Sequence, residues 1–254
     1  MSFQAKTVIV TGATSGIGRE AARAFAAEGA SVLMTGRDER ALTAAAAGLP
    51  ADGRVRTLAV DLTSDGAPGQ LVQAAVDAFG GLDVLVNAAG ILASGTIENT
   101  TDAAWDEMMA INLRAPFRLM RAAAPHLAAR RGAVVNVSSV NGLRSFPNVL
   151  AYCVSKAAVD QLTRCAALEL AASGVRVNAV NPGVTVTNLH RRSGMDEEKY
   201  AAFLERSKTT HPLGRPGHPE DIAGLILFLA SERAGWMTGE TIPVDGGRHL
   251  TCAR

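Results

Sequence analysis

Short β-branched and apolar runs alternate along this chain with longer alanine-rich stretches. The runs at 7–11, 31–35, 55–61, 84–87, 133–138, 175–180 and 241–244 read as strands, because they are brief and bounded by turn-forming residues. The stretches at 17–28, 38–47, 69–79, 103–130, 151–173, 197–207 and 220–230 read as helices. Runs such as Ala133-Val134-Val135-Asn136-Val137 are apolar nearly throughout rather than alternating, as in strands buried on both faces. Strand then helix, repeated six times, predicts an α/β fold: a doubly wound, seven-stranded parallel sheet with helices on both faces. Pro125 falls inside 103–130 and predicts a kink there. No linker or composition break divides the sequence, so one domain over 1–254 is expected.

Composition narrows the picture by exclusion. With 254 residues and 48% hydrophobic content the chain can fill a core. A net charge of +1 gives no electrostatic case for nucleic acid or an anionic membrane. The chain enters a strand by Thr7 without a signal segment, and its longest strongly apolar stretch, 222–230, is short of the ~20 residues that span a bilayer. Cys153, Cys165 and Cys252 lack metal-ligand spacing. A reduced, soluble, cytoplasmic protein without a metal is expected.

Two motifs carry chemistry. After the apolar run Val8-Ile9-Val10 comes Thr11-Gly12-Ala13-Thr14-Ser15-Gly16-Ile17-Gly18, and then an amphipathic stretch. Glycines in such a turn let backbone approach a ligand, and the helix that follows offers unpaired N–H groups to a pyrophosphate. The spacing differs from the common Gly-x-Gly-x-x-Gly fingerprint. The second motif is Tyr152 with Lys156, four residues apart and thirteen residues after Ser139. On a helix that spacing puts both side chains on one face. An ammonium beside a phenol favours the phenolate, so a lowered tyrosine pKa and a proton donor usable near neutrality are expected. Tyr-x-x-x-Lys alone arises often by chance; its weight here comes from its companions.

Those companions are Asp61 after the third strand, Asn87-Ala88-Ala89-Gly90 after the fourth, Asn112 in the long helix, Ser138-Ser139 closing the fifth strand and Asn181-Pro182-Gly183 with Thr187 after the sixth. Pro219-Glu220-Asp221-Ile222-Ala223 and Val244-Asp245-Gly246-Gly247 follow. In this order, from about Lys6 to His249, the chain resembles the short-chain dehydrogenase/reductase family in its branch of single-domain chains of this length. The resemblance implies a Rossmann-type oxidoreductase that moves a hydride between a nicotinamide dinucleotide and a carbonyl or secondary-alcohol substrate. Tyr152 would be general acid or base, and Ser139 would hydrogen-bond the substrate oxygen. Lys156 would lower the tyrosine's pKa and, with Tyr152, meet the nicotinamide ribose. Asn112 would hold a water joining Lys156 to solvent. A bland alternative for Asn112 is a satisfied polar group in a kinked helix.

The resemblance also implies the cofactor contacts. Gly12, Thr14, Ser15, Gly16, Ile17 and Gly18 would surround the pyrophosphate. Asp61 and Leu62 would meet the adenine, although Asp61 could equally cap the next helix. Asn87, Ala88 and Gly90 would pass the adenosine ribose, with Ala88 standing where the family usually has a second asparagine. Pro182, Gly183, Thr185 and Thr187 would close over the nicotinamide. Cofactor choice turns on Thr35-Gly36-Arg37-Asp38. Gly36 falls in the family's acidic slot and Arg37 follows it, which favours NADP(H); NAD(H) stays open through Asp38. A lid at about 188–218 and an apolar wall at 141–150, with Leu143, Phe146 and Leu150, would select the substrate. His190 and His211 are read as structural or solvent-exposed. By resemblance the protein would be a homotetramer or homodimer. A non-catalytic dinucleotide sensor or scaffold on the same fold is the other class of reading; such a protein would be expected to lack the tyrosine or the lysine. No Gly-x-Ser-x-Gly elbow supports a serine hydrolase.

Overall fold

The computed structural model describes residues 2–50 and 52–251. Its elements run β1 (Thr7–Thr11), α1 (Gly16–Ala27), β2 (Ser31–Gly36), α2 (Glu39–Ala46), β3 (Val55–Ala59), α3 (Ala67–Phe79), β4 (Val84–Asn87) and α4 (Asp102–Met109). A π-helical turn, Ala110–Arg114, leads into α5 (Ala115–Arg130). Then come β5 (Ala133–Val137), α6 (Val140–Leu143), α7 (Leu150–Leu170), β6 (Arg176–Pro182), α8 (Leu189–Arg192), α9 (Glu197–Thr210), α10 (Pro219–Ala230) and β7 (Thr241–Val244). The seven strands form one parallel sheet in the order β3-β2-β1-β4-β5-β6-β7. This is the doubly wound α/β architecture. Because β2 lies to one side of β1 and β4 to the other, the strand order reverses there, which opens a crevice at the carboxyl ends of both strands.

Strand alternation sorts the core into two layers. Val8, Val10, Val32, Met34 and Val86 face α1 and α10, where Phe25, Ile222 and Ile226 are fully buried. Ile9, Leu33, Leu85, Val134 and Val177 face the opposite layer, with Leu71 of α3 and Leu119 of α5. Both faces are covered, so the central strands show no polar alternation. Only edge strand β3 is largely exposed.

Three departures from the sequence reading have local causes. Strand β3 stops at Ala59 because Asp61 turns the chain, its Oδ1 accepting from Thr63 N at 2.9 Å and Thr63 Oγ1 at 2.8 Å. Strand β6 runs on to Pro182, which pairs with Val244; a proline fits there because it ends the strand. The predicted helix 103–130 is two helices joined by the π turn around Asn112. Pro125 lies inside α5, and the helix continues past it to Arg130.

Among the described residues no helix is long and apolar enough to cross a membrane, and no cluster of His, Cys, Asp or Glu could hold a metal ion. Cys153 is a buried free thiol and Cys165 an exposed one; Cys252 lies outside the described residues.

Candidate active site

The glycine turn is constrained by its neighbours. Gly12 has φ +65, and a Cβ there would lie 2.8 Å from Ala89 Cα; at Gly18 one would lie 2.5 Å from the Gly12 carbonyl oxygen. Neither position has room for a side chain. Thr11 Oγ1 accepts from both Ala88 N and Ala89 N at 3.0 Å, stapling this turn to the end of β4. Sequence reasoning gave Thr11 no such role; its place at the last strand position was the available signal. Helix α1 begins beyond Ser15, whose side chain makes no capping bond, and its first turn carries no acid. Its opening N–H groups are therefore left for an external acceptor.

That turn forms one end of a cavity of about 370 Å³. Ser15, Gly16, Ile17, Gly18, Ala88 and Gly90 line this end, and Ser139, Tyr152, Lys156, Pro182 and Gly183 line the middle, with Thr185 and Thr187. Thr14, Arg37, Asp61, Leu62, Asn87 and Asn112 are not among its lining residues. Arg37 and Asp61 stand exposed beyond it, near enough that the guanidinium helps hold the Asp61 carboxyl below its usual range, after the two bonds from Thr63. Asp61 caps no helix, since α3 starts after Gly66. Leu62 packs on the α3–α5 core layer. Asp38 caps α2 by accepting from Ala41 N at 3.0 Å. A Cβ on Gly36 would lie 2.7 Å from the Thr14 methyl, so that methyl fills the slot where an acidic side chain would start. Asn87 is buried with its Nδ2 donating to Asn136 Oδ1 at 2.8 Å, which directs it into the sheet rather than into the cavity.

Helix α7 presents Tyr152 and Lys156 to the cavity, with Lys156 Nζ 5.7 Å from the tyrosine ring centroid. The helix start is set by the pairing of Gly95 with Val149, where Leu150 N donates to Gly95 O at 3.0 Å. Nζ donates to the carbonyl of Val137 at 2.9 Å. Ser139 follows at the start of α6, its Oγ accepting from Asn141 N at 3.1 Å and donating to Asn141 Oδ1 at 3.2 Å. Burial pushes the Tyr152 hydroxyl up to about 12, against the opposing effect of the nearby Ser139 hydroxyl. Burial brings Lys156 down to about 8, opposed by Asp160. The expected lowering of the tyrosine is thus reversed here: the ammonium is spent on Val137, and loss of water around a phenolate dominates.

Asn112 sits in the π turn, a common deviation at functional sites. Its Oδ1 accepts from Ile91 N at 2.9 Å, and its Nδ2 lies 3.0 Å from Ile91 O, Ser155 Oγ and Met108 Sδ. A Cβ on Gly90 would meet Asn112 Oδ1 at 3.2 Å and Lys156 Nζ at 3.6 Å, so glycine lets these groups converge.

The cavity's far end is mixed. Phe146 and Val149 line it, but Leu143 and Leu150 do not; Leu143 is exposed. From 188–218 come Leu189, His190, Met195 and Phe203. His190 thus faces the cavity, its ring tilted 55° against that of Phe203 with centroids 4.5 Å apart, and burial lowers its pKa. Tyr200 OH donates to Thr187 O at 3.0 Å, fastening α9 to the loop after β6. His211 is buried and accepts from Val184 N at 3.2 Å, bracing the same loop.

The residues present fit a nicotinamide dinucleotide: a glycine cradle without room for Cβ atoms, a helix N-terminus free of side-chain caps, and buried polar groups 137–156 along one cavity.

Comparisons with known proteins agree. The profile of the family described as "Enoyl-(Acyl carrier protein) reductase" matches residues 12–249. The chain is 36% identical over 247 residues to meso-2,3-butanediol dehydrogenase of Serratia marcescens, covering 97% of this chain and 96% of that protein. It is 36% identical over 251 residues to the 3-oxoacyl-(acyl-carrier-protein) reductase FabG of Thermotoga maritima, covering 97% and 99%. A crystal structure of a short-chain dehydrogenase/reductase of unknown function from Caenorhabditis elegans, with cofactor, superposes with a TM-score of 0.91 at 37% identity, covering 98% of this chain and 97% of that one. The fold, the cavity and these relatives together establish that the chain belongs to the short-chain dehydrogenase/reductase family and is an NAD(P)-dependent enzyme of it.

Proposed function

We propose that the protein interconverts a ketone and a secondary alcohol, with NADP(H) as the favoured dinucleotide. The observation that carries this reading is the convergence of Ser139, Tyr152 and Lys156 on one cavity that opens at the glycine cradle. A bound nicotinamide would supply or accept the hydride. Ser139 holds the substrate oxygen by a hydrogen bond and Tyr152 gives it a proton in reduction, or takes one in oxidation. With its hydroxyl pushed up to about 12, Tyr152 is protonated at neutral pH and set for the acid role. Lys156, brought down to about 8, is an ammonium below that pH and would donate to the hydroxyls of a nicotinamide ribose. Asn112 Oδ1, facing Gly90 and Lys156, is the atom that would hold a water leading the proton outward.

Arg37 supports NADP(H), because an exposed guanidinium beyond the cradle can pair with a 2′-phosphate. Asp38 is engaged at the start of α2, which weakens its claim as a ribose ligand. Leu189, His190, Met195 and Phe203 support 188–218 as the substrate lid of one domain spanning 1–254. The relatives named for butanediol and 3-oxoacyl substrates support a carbonyl or alcohol substrate. A homotetramer or homodimer in the cytoplasm completes the proposal, on family resemblance. A panel of ketones and secondary alcohols, followed by nicotinamide absorbance with both dinucleotides, tests it. Turnover should be found with NADPH or NADP⁺ preferred; absence of any turnover across the panel would overturn the reading.

A further inference from the structure

Behind Ser139 and Lys156 lies a carboxylate that no role described above uses. Asp160, one helical turn beyond Lys156 on α7, is 1% exposed. Asn181 of β6, itself fully buried, donates through Nδ2 to both oxygens, at 3.1 and 2.9 Å, and to the Ser139 carbonyl at 2.9 Å. The Ser138 hydroxyl donates to the Lys156 carbonyl at 3.2 Å, close beside Asp160. Gly142 completes the enclosure: a Cβ there would run into Asp160 Oδ2 and lie 2.9 Å from the Lys156 carbonyl oxygen. Asn181 Oδ1 has no hydrogen-bond partner. The amide forgoes that bond in order to turn its donors toward Asp160, which is the orientation an ionised acceptor selects.

A buried carboxylate is costly unless its charge is answered. Burial raises the Asp160 carboxyl above its ordinary range, and the neighbouring Ser138 and Asn181, with the charges of Arg164 and Lys156 on α7, oppose that rise. The groups that β5, β6 and α6 set around it are neutral: Ser138, Asn181 and Gly142. In return, Asp160 is the charge that opposes the effect of burial on Lys156.

We propose that Asp160 is a positioning residue for this site: through Asn181, whose amide bridges it to the Ser139 carbonyl, it fixes the end of β5 that carries Ser139, and its buried charge lies one helical turn from Lys156. This rests on the reading that Ser139, Tyr152 and Lys156 carry the reaction. The sign of its effect follows directly. A nearby carboxylate favours the ammonium, so removing the charge lowers the pH at which Lys156 loses its proton.

The test is Asp160→Asn, which keeps the shape and removes the charge, compared with wild type and Tyr152→Phe on the same ketone. Asp160→Asn should lower kcat ~10- to 100-fold through misplacement of Ser139. The alkaline limb of its kcat profile should move about half to one unit toward lower pH. A fall in kcat with the limb unmoved would make Asp160 a packing staple and overturn the proposal. So would wild-type kcat with an unmoved limb while Tyr152→Phe is inactive, an outcome that spares the proposed function. Wild-type turnover in Tyr152→Phe would instead overturn the proposed function, and this inference with it. Should Asp160→Asn fail to fold, carboxyl ¹³C NMR of the wild-type protein decides. The Asp160 resonance, assigned by the upward move of its titration in Asn181→Ser, which removes its amide donor, should be ionised throughout the active pH range; a protonated Asp160 there would overturn the proposal.

Discussion

On either side of the crevice between β1 and β4, the two parts of the sheet are built from different materials. Toward β1 and α1 the cavity wall is backbone: Gly12, Gly16 and Gly18 bring the chain within a Cβ's width of Ala89, Thr187 and Gly12 itself. Toward β5, α7 and β6 it is polar side chains such as Ser139 and Lys156, backed by Asp160 and Asn181, each at most 7% exposed. A backbone wall can recognise phosphate through N–H groups and dipole, but it holds no proton to give. A side-chain wall can hold and move protons, but each polar group must be satisfied where water is excluded. The two parts should therefore fail differently. On the side-chain side an isosteric change removes chemistry and leaves binding, while on the backbone side one methyl removes binding.

Tyr152→Phe gives the largest effect. A positioned general acid contributes ~10²–10⁴-fold, so kcat should fall by that order. Dinucleotide Kd, measured by calorimetry, should stay within about threefold, because the ring still packs. A Kd that rises in step with the loss of kcat would erase the proposed division of labour.

Gly18→Ala should show the reverse. Its Cβ would meet the Gly12 carbonyl oxygen at 2.5 Å, and overpacking of this kind costs ~1–3 kcal/mol. Since 1.4 kcal/mol is tenfold in affinity, dinucleotide Kd should rise ~10- to 100-fold, with kcat at saturating dinucleotide much less affected. Unchanged affinity in a folded variant would show that the turn is not a binding wall.

Arg37→Ala gives the smallest effect and sharpens the contrast from outside both walls. The guanidinium is exposed, so water and salt weaken its bonds. A loss near the lower end of a charge-assisted bond, ~1.5 kcal/mol, should cost NADPH about tenfold in kcat/KM and leave NADH nearly unaffected. If wild type already prefers NADH, or both cofactors suffer equally, the NADP(H) assignment reverses. The reciprocal design Gly36→Asp is unattractive, because the Thr14 methyl occupies the first atom's place.

The strands were legible because each is a local signal: an apolar run of strand length, ending at a turn residue. The glycine motif and the four-residue spacing of Tyr152 and Lys156 were legible for the same reason, since a turn and a helix face are properties of consecutive residues. The π turn at Asn112 had no counterpart there. Nothing in Ala110-Ile111-Asn112-Leu113-Arg114 distinguishes it from ordinary helix, and its amide bonds Ile91 and Ser155 from other elements. The direction of the Tyr152 shift was likewise hidden, because it depends on how much water the folded cavity excludes and on Lys156 Nζ turning to Val137.

By itself, then, the sequence determined the α/β alternation, the family's motifs and the helix face that carries Tyr152 and Lys156, all through contacts within a few residues. Only the tertiary structure decided that Asp160 and Asn181 stand behind Ser139, that Gly142 clears the space for them, and that Thr14 fills the slot at Gly36. Those relations join residues 18 to 42 positions apart in the chain, and they exist only once the strands have paired and buried polar groups must find partners away from water.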